Sequence, residues 1–226
     1  MNQPANWWKK PRKISVIVDN DSWILPYAHQ LIDQIISSGD EAQFFSKYDD
    51  LPEGDIAFLL GCIKIAKPET LKKHKINLVV HESDLPKGRG FSPLTWQILE
   101  GKNKIPICLI EAMEEVDSGK VFLRDTITFQ GHELLNELRN AQGEKTISMC
   151  LQFLDFSESP IGEEQYGEPS TYFRRRPENS LLDVNLTLAQ QFNLLRVVDN
   201  QRYPAFFEYK GHRYKLTIEK DISDKV

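Results

Sequence analysis

The sequence predicts an α/β fold, and three observations predict it. Short β-branched runs alternate with helical segments from residue 13 to residue 156, which is typical of a parallel sheet with covering helices. The first run, residues 13–18, is almost continuously apolar, as expected of a strand buried on both faces. Beyond residue 169, a helical stretch precedes two short strands. We therefore expect a Rossmann-like, mostly parallel sheet flanked by helices, with a small C-terminal helix plus β-hairpin extension.

The strands are predicted from apolar runs of strand length that end at polar residues or glycine. After the first, a short run at 42–45 and a longer one at 56–60, closed by Gly61, give the second and third. The fourth ends at a histidine. The predicted sheet strands are residues 13–18, 42–45, 56–60, 78–81, 106–111 and 121–129.

The helices are predicted from apolar spacing and from end signals. Residues 23–38 follow four capping residues, 19–22, and end before Gly39, which favours a C-terminal cap. Helices at 68–74 and 93–99 each open on a proline. A long helix is expected at 131–156. A last helix at 186–197 precedes hairpin strands at 204–209 and 214–218.

This order of elements divides the chain into two predicted parts. Residues 1–156 form the Rossmann-like domain. Residues 157–226 begin with a linker rich in Glu, Gly and Pro and continue as the small α+β extension.

Composition and charge exclude several classes of protein. The net charge of −5 argues against a broad nucleic-acid-binding face. Cys62, Cys108 and Cys150 lie far apart in apolar runs, so we expect buried thiols and no metal site. No apolar stretch reaches about 18 residues, and the N-terminus lacks the apolar core of a signal peptide. We expect a cytoplasmic protein that binds neither nucleic acid nor membrane.

The most informative segment is the glycine- and proline-rich loop at residues 81–93. His81 stands where the fourth strand ends, and ligands bind at that edge of open α/β sheets. Asp117 follows 36 positions later (117 − 81). A histidine and an aspartate from successive strand ends are expected to orient each other and transfer protons. Taken singly, a histidine that anchors the loop and an aspartate that caps a turn are the alternatives.

Basic and aromatic residues supply candidate contacts to an anionic substrate. Three consecutive arginines at 174–176 follow a tyrosine and a phenylalanine; guanidinium groups bind phosphate in bidentate fashion, and the rings can stack on a base. Solvated basic turns are the alternative. The first turn, residues 19–22, lacks GxGxxG and carries two carboxylates, which excludes a dinucleotide there. The candidate substrate contacts are Lys87, Arg89, Tyr172, Phe173, Arg174, Arg196 and Tyr203.

The motifs resemble those of a known family. H-x-S-x-L-P-x-x-R-G-x-x-P at residues 81–93, followed by V-D-S-G at 116–119, resembles the signature of the 10-formyltetrahydrofolate-dependent formyltransferases. That family includes methionyl-tRNA formyltransferase and the nucleotide-sugar N-formyltransferases. T-Y-F-R-R-R-P-E-N-S-x-x-D at 171–183, N-L-L-R at 193–196 and Y-P-A-F at 203–206 resemble the sugar branch. The resemblance covers roughly residues 50–218. The sequence at 81–90 is similar to the corresponding segment of enzymes of pseudaminic-acid-type pathways that act on UDP-4-amino sugars.

The resemblance implies that residues 1–156 are a catalytic domain that moves a formyl group from 10-formyltetrahydrofolate to the amine of a nucleotide-linked amino sugar. It implies His81 and Asp117 as catalytic residues and requires no metal. The nucleotide is expected towards Arg89 and residues 172–176. The apolar C-terminal hairpin also allows a homodimer. The residues expected beside the folate are Gly61, Cys62, Ile63, Ile65 and Asp117.

The sequence departs from the family pattern beside the histidine. The family's asparagine, two residues earlier, is Val79 here, and valine donates no hydrogen bond to an oxyanion. Asn77 shares the strand face of His81 but lies about 13 Å away at strand rise. We therefore take Asn103 as the candidate oxyanion donor. Lys120 is a second departure, at a position that is commonly acidic.

Two other functions stay open at this point. Methionyl-tRNA formylation needs an RNA-binding surface and a larger C-terminal domain, so the negative charge and the short C-terminal part favour a small substrate. A non-catalytic module that binds folate or a nucleotide sugar is supported by Val79 and opposed by His81 and Asp117.

Overall fold

A computed structural model describes residues 6–221 and has the predicted α/β architecture. Residues 1–5 and 222–226, at the outer ends of the two predicted parts, lie outside the described residues. The strands are β1 Lys13–Ile17, β2 Glu41–Phe45, β3 Gly54–Leu59, β4 His74–His81, β5 Arg89–Gly90, β6 Lys104–Glu111, β7 Val121–Thr128, β8 Thr171–Tyr172, β9 Ala205–Tyr209 and β10 His212–Leu216. The helices are α1 Leu25–Ser37, α2 Pro68–Leu71, α3 Pro93–Leu99, α4 Leu135–Leu154 and α5 Phe192–Val197.

Six strands form the main sheet, in the order β2-β1-β3-β4-β6-β7. The first four pair in parallel, whereas β6 runs antiparallel to both β4 and β7. Five strands therefore share one direction, which confirms the mostly parallel sheet. Because β6 runs in the opposite direction to β4, His81 at the end of β4 pairs with Cys108, which lies in the middle of β6.

Burial follows from the apolar runs. Residues 14–17 of β1 and 56–59 of β3 are buried on both faces. On one face they pack against α1 and α4, and on the other against Leu51 and Ala66. The apolar stripe of α1 packs into this main core with α4 residues such as Phe153. The carboxyl ends of β1, β3 and β4 consequently meet at one rigid edge.

Several predicted boundaries shift in the structure. The helix expected at 68–74 ends at Leu71, and His74 instead begins β4, where its buried ring hydrogen-bonds Ser15 Oγ at 2.9 Å. The helix expected at 186–197 is α-helical only from Phe192. The long helix begins at Leu135, because Glu137 caps the backbone of Leu134.

The C-terminal part contains the predicted helix and hairpin, with a small core of its own that includes Leu182, Leu195 and Ala205. The segment predicted as a linker contacts the sheet, because Glu163 and Val121 exchange two backbone hydrogen bonds. Further on, β8 pairs in parallel with β5, a two-residue ladder that the sequence did not predict. The first contact joins the C-terminal part to β7, and the second joins it to the loop that follows His81. Across residues 6–221, no helix combines the length and apolarity needed to cross a membrane.

Candidate active site

A cavity of about 460 Å³ opens where β1, β3 and β4 end. That volume lies within the usual range for small-molecule sites. Two loops, 60–66 and 110–117, form one side, with the first turn of the chain packed against the 60–66 loop, and α4 borders the cavity beside Glu82. The lining residues include Asn20, Ser22, Trp23, Gly61, Cys62, Ile63, Ile65, Val79, His81, Glu82, Phe91, Met113, Val116, Asp117, Gln142 and Thr146.

His81 is buried in the wall of this cavity. Its Nε2 lies 2.8 Å from the carbonyl oxygen of Gly88. A carbonyl only accepts hydrogen bonds, so Nε2 carries the proton and Nδ1 is free to gain or lose one. The chain thus fixes the tautomer of His81 through the backbone of its own loop.

Asp117 faces the other ring nitrogen. Its Oδ1 lies 3.6 Å from His81 Nδ1, an ion-pair distance that is too long for a hydrogen bond. Its Oδ2 accepts a hydrogen bond of 2.8 Å from the backbone of Gly90. Asp117 has a φ of +54°, so a left-handed turn presents its side chain. The predicted approach of the two residues is present, although Asp117 comes from a loop after a reversed strand.

Gln165 secures the loop that carries Asp117. Its amide donates to the carbonyl oxygens of Asp117 and Gly119, both at 2.8 Å. Arg89 in turn donates to Gln165 Oε1 at 3.0 Å and to Glu115 at 3.0 Å. The loops around Asp117 and Arg89 are therefore joined by a side chain from the predicted linker.

The loop after β3 is held against the end of β1. The carboxylate of Asp19 accepts hydrogen bonds from the backbones of Ile63 and Lys64, at 2.9 and 2.8 Å. Asn20 donates to the carbonyl of Gly61 at 2.9 Å. This fixed loop presents the predicted folate contacts Gly61, Cys62, Ile63 and Ile65 to the cavity. Burial raises the pKa of the Cys62 thiol to about 11, so it lines the wall as a neutral group.

The chain is similar in sequence and in fold to known formyltransferases. No family model matches the chain. The methionyl-tRNA formyltransferase of Mycoplasma capricolum is 25% identical over 189 residues, which are 78% of this chain and 57% of that relative. The chain thus spans little more than half the length of this curated relative.

Solved structures match over nearly the whole chain. A methionyl-tRNA formyltransferase from Clostridium thermocellum superposes with a TM-score of 0.78 at 22% identity, covering 94% of this chain and 95% of the other. A 4-N formyltransferase from Francisella tularensis gives 0.70 at 16%, covering 94% and 99%. HypX from Aquifex aeolicus, in complex with tetrahydrofolic acid, gives 0.66 at 17%, covering 90% and 37%.

The chain has the formyltransferase fold. In this formyltransferase fold, Val79 lies on the cavity wall and in one apolar cluster with Cys62 and Ala112. The two side-chain amides that line the cavity are already engaged: Asn20 donates to Asp19 and Gly61, and Gln142 donates to Glu82. The position of the family's asparagine is therefore apolar here.

The structure does not bring Asn103, the predicted oxyanion donor, to the cavity. Asn103 lies five residues before Cys108, the partner of His81, or about 16 Å along the strand direction. Its Oδ1 accepts a hydrogen bond of 2.9 Å from Arg196. Asn77, the other amide considered, donates to Leu71 O. Neither amide lines the cavity.

Arg196 likewise does not line the cavity. It is 1% exposed, and its guanidinium is engaged by Asn103, Asn193 and Glu133. Tyr203 lies in the C-terminal part, outside the cavity lining. Arg196 thus joins α5 to Asn103 and Glu133, whereas the backbone of Tyr203 bonds to Asp199 and Ser180 within the C-terminal part.

The remaining predicted contacts lie at the rim or beyond it. The Tyr172 ring stacks on Trp96, and its hydroxyl donates to Glu100 at 2.8 Å. Phe173 is 80% exposed, and the Arg174 guanidinium lies 5.6 Å from the ring of Phe91 at the cavity rim.

Two basic side chains predicted to contact phosphate are directed elsewhere. Lys87 lines a different, open cavity, together with Asp84 and Arg124. Arg89 is committed to Gln165 and Glu115 and does not face the main cavity. The structure thus assigns Arg89 to loop anchoring, because both its neighbours accept from its terminal nitrogens.

The sequence interpretation missed Glu82. This residue follows His81, is 9% exposed and lines the same cavity from the α4 side. Gln142 Nε2 donates to its Oε1 at 2.7 Å. Burial raises the pKa of the Glu82 carboxyl. The only signal in the sequence is an acidic residue inside the loop motif, which gives no indication of burial.

Within residues 6–221, no cluster of three His, Cys, Asp or Glu side chains is arranged to hold a metal ion.

Proposed function

We propose that this protein is an N-formyltransferase that moves a formyl group from 10-formyltetrahydrofolate to the amine of a nucleotide-linked amino sugar, a UDP-4-amino-4,6-dideoxy sugar. The observation that carries the proposal is the His81–Asp117 pair in the wall of a cavity at the carboxyl edge of a formyltransferase fold.

The loop side of the cavity fits the formyl donor. Cys62 and Ile63 on one loop, Met113 and Val116 on the other, and Val79 of β4 form apolar walls, and a flat heteroaromatic ring is favourably buried between such walls. Asp117 lies at the inner end of this slot. The donor supplies an activated formyl carbon, and the chain supplies its orientation and the proton transfers.

The proton balance follows from the geometry of His81. The acceptor nitrogen bonds to the formyl carbon, the bond from that carbon to N10 breaks, the amine loses a proton and N10 gains one. Since Nε2 already donates to Gly88 O, Nδ1 takes the proton from the attacking amine. Asp117 Oδ1 stabilises the imidazolium, and Nδ1 then returns the proton to N10.

The acceptor class is supported by the rim and by the motifs. Phe91, Phe173 and Arg174 present exposed rings and a guanidinium at one side of the cavity mouth, a combination that suits a nucleotide. The downstream motifs at 171–183 resemble the sugar branch.

The test is a formylation assay with 10-formyltetrahydrofolate and matched UDP-, dTDP- and GDP-linked amino sugars. We expect mass spectrometry to show one added formyl group on a UDP-linked 4-amino sugar. Absence of formylated product with every amino sugar would reject the sugar assignment.

Methionyl-tRNA formylation is the second candidate, because the curated relative and the solved structure with the TM-score of 0.78 carry that name. The same assay with aminoacylated initiator tRNA decides between them. Formyl-methionyl-tRNA as the sole product would favour this second function.

A further inference from the structure

The α4 side of the cavity holds an acid that forms no ion pair with a basic side chain among residues 6–221. Glu82 is buried, and its side chain receives a hydrogen bond from Gln142 of α4. His81, in the same cavity wall, acts on it only through its charge: burial raises the pKa of Glu82, and the charge of His81 lowers it by a smaller amount. A buried carboxylate without a counter-ion is costly, so its place on a ligand cavity calls for a ligand that supplies the positive charge.

The surroundings of Glu82 suit a small polar ligand. Thr146 and Gln142 of α4 bring polar groups to the same cavity, and Trp23 brings an aromatic face. Trp23 is itself fixed against α4, with the Arg139 guanidinium 5.9 Å from its ring. An apolar wall with a few placed polar groups is typical of a specific small-molecule site.

We propose that Glu82, held by Gln142, is the binding group for the amino group of the acceptor and determines that the acceptor is an amine. This inference rests on the proposed function. The donor occupies the loop side, the acceptor ring lies along Trp23, and the reacting nitrogen lies between Glu82 and His81.

Glu82 also accepts the first proton that the amine loses in the reaction. An amine bound as its ammonium ion has no lone pair, so it must lose one proton before it attacks. The ammonium gives that proton to the Glu82 carboxylate, which leaves a neutral amine and a neutral carboxyl group. Burial raises the pKa of Glu82 and makes it a better proton acceptor than an exposed carboxylate. His81 takes the second proton after attack and passes it to N10, and Glu82 releases the first proton to solvent when the product leaves.

The test compares two ligands in the presence of tetrahydrofolate: a UDP-4-amino-4,6-dideoxy sugar, and the same nucleotide sugar with a hydroxyl in place of the amine. For Glu82→Gln we expect about 10- to 100-fold weaker binding of the amino sugar by calorimetry, the contribution of one charge-assisted hydrogen bond. Binding of the hydroxyl analogue should change by less than about twofold, because that ligand makes no ion pair.

Two further variants separate charge from structure. Glu82→Asp keeps the carboxylate and should retain part of the preference for the amine. Glu144→Gln removes the same charge from the exposed face of α4 and should leave both affinities unchanged. A structural role for Glu82 would weaken both ligands equally.

The outcomes distinguish this inference from the function on which it rests. If wild-type protein formylates the amino sugar and Glu82→Gln keeps the full preference for the amine, the inference about Glu82 is wrong and the function stands. If wild-type protein neither binds nor formylates any amino sugar, both are overturned.

Discussion

At the scale of single residues, the site depends on backbone groups that fix two side chains. Gly88 O sets the tautomer of His81, and the Gly90 backbone holds Asp117. The motif spacing predicted this approach, because both partners lie in short loops with distinctive glycines and prolines. Glu82 escaped prediction because its partner, Gln142, is 60 residues away and becomes its neighbour only through folding.

Asn103 and Arg196, both predicted at the site, lie away from the cavity for a related reason. Each was chosen because its side chain can bind a ligand, but the fold brings the two together across 93 residues. Polar side chains with suitable chemistry satisfy each other inside the protein as readily as they satisfy a substrate.

Replacement of His81 tests the proton-transfer role. We expect His81→Asn to lower kcat for formyl transfer by about 10²- to 10⁴-fold, the usual contribution of a positioned acid–base group. Tetrahydrofolate binding should persist. His212→Asn, at an exposed position on β10, is the matched control and should keep wild-type kcat. A kcat for His81→Asn within a few fold of wild type would contradict the role.

Gln165 is expected to act as a positioning residue. Gln165→Leu removes two hydrogen bonds to the Asp117 loop, so kcat should fall about tenfold while the KM for the acceptor changes little. Gln165→Glu still accepts from Arg89 but cannot donate to the two carbonyls, so it should be equally impaired. Full kcat in the Glu variant would show that only the contact with Arg89 matters.

At the scale of elements, strand direction and strand pairing were the least predictable features. The run at 104–111 reads as a buried strand, but its composition does not encode that it is antiparallel to β4. The ladder between β5 and β8 has two residues in each strand, too few for any periodicity. Both features place loops around His81. The sequence therefore predicted the site residues better than it predicted the strand pairings that hold them in place.

The β5–β8 ladder requires glycine at position 90. Gly90 has a φ of +97°, and a Cβ there would lie 2.5 Å from Tyr172 O. A strained backbone conformation alone costs about 1–3 kcal/mol. Because the added carbon also meets Tyr172 O, we expect Gly90→Ala to reduce the free energy of unfolding by more than that amount and to displace Asp117.

Gly211→Ala is the matched control for that variant. Its φ of +79° carries a similar backbone cost, but no atom lies within 4 Å of the added carbon. Urea denaturation should therefore show a smaller loss for Gly211→Ala. Equal losses in the two variants would mean that the contact with Tyr172 is relieved at little cost.

At the scale of the whole molecule, one buried ion pair joins three elements. The Arg12 guanidinium contacts the Asp40 carboxylate at 2.6 Å and the carbonyl of Leu154 at the end of α4 at 2.9 Å. Burial alone would raise the pKa of Asp40, but the hydrogen bonds and charge of Arg12 lower it below its ordinary value. The pair therefore ties the start of β1 to the ends of α1 and α4.

This pair should make stability depend on pH. Because the folded-state pKa of Asp40 is lowered, its contribution is present above the unfolded value of about 4 and is lost as the pH falls through the folded value. Asp40→Asn should cost about 3–5 kcal/mol at pH 7 and flatten the stability curve below pH 4. Asp125→Asn, which breaks the exposed pair with Lys145, should cost about 1 kcal/mol or less by denaturant titration.

The central claim is that the His81–Asp117 cavity transfers a formyl group to the amine of a nucleotide sugar. The most direct measurement is kcat/KM for formylation of a UDP-4-amino-4,6-dideoxy sugar and of methionyl-tRNA, side by side, with wild-type and His81→Asn protein. We predict turnover of the sugar that exceeds turnover of the tRNA and is lost in the variant. Turnover of the tRNA alone, or sugar formylation that survives loss of His81, would contradict the account.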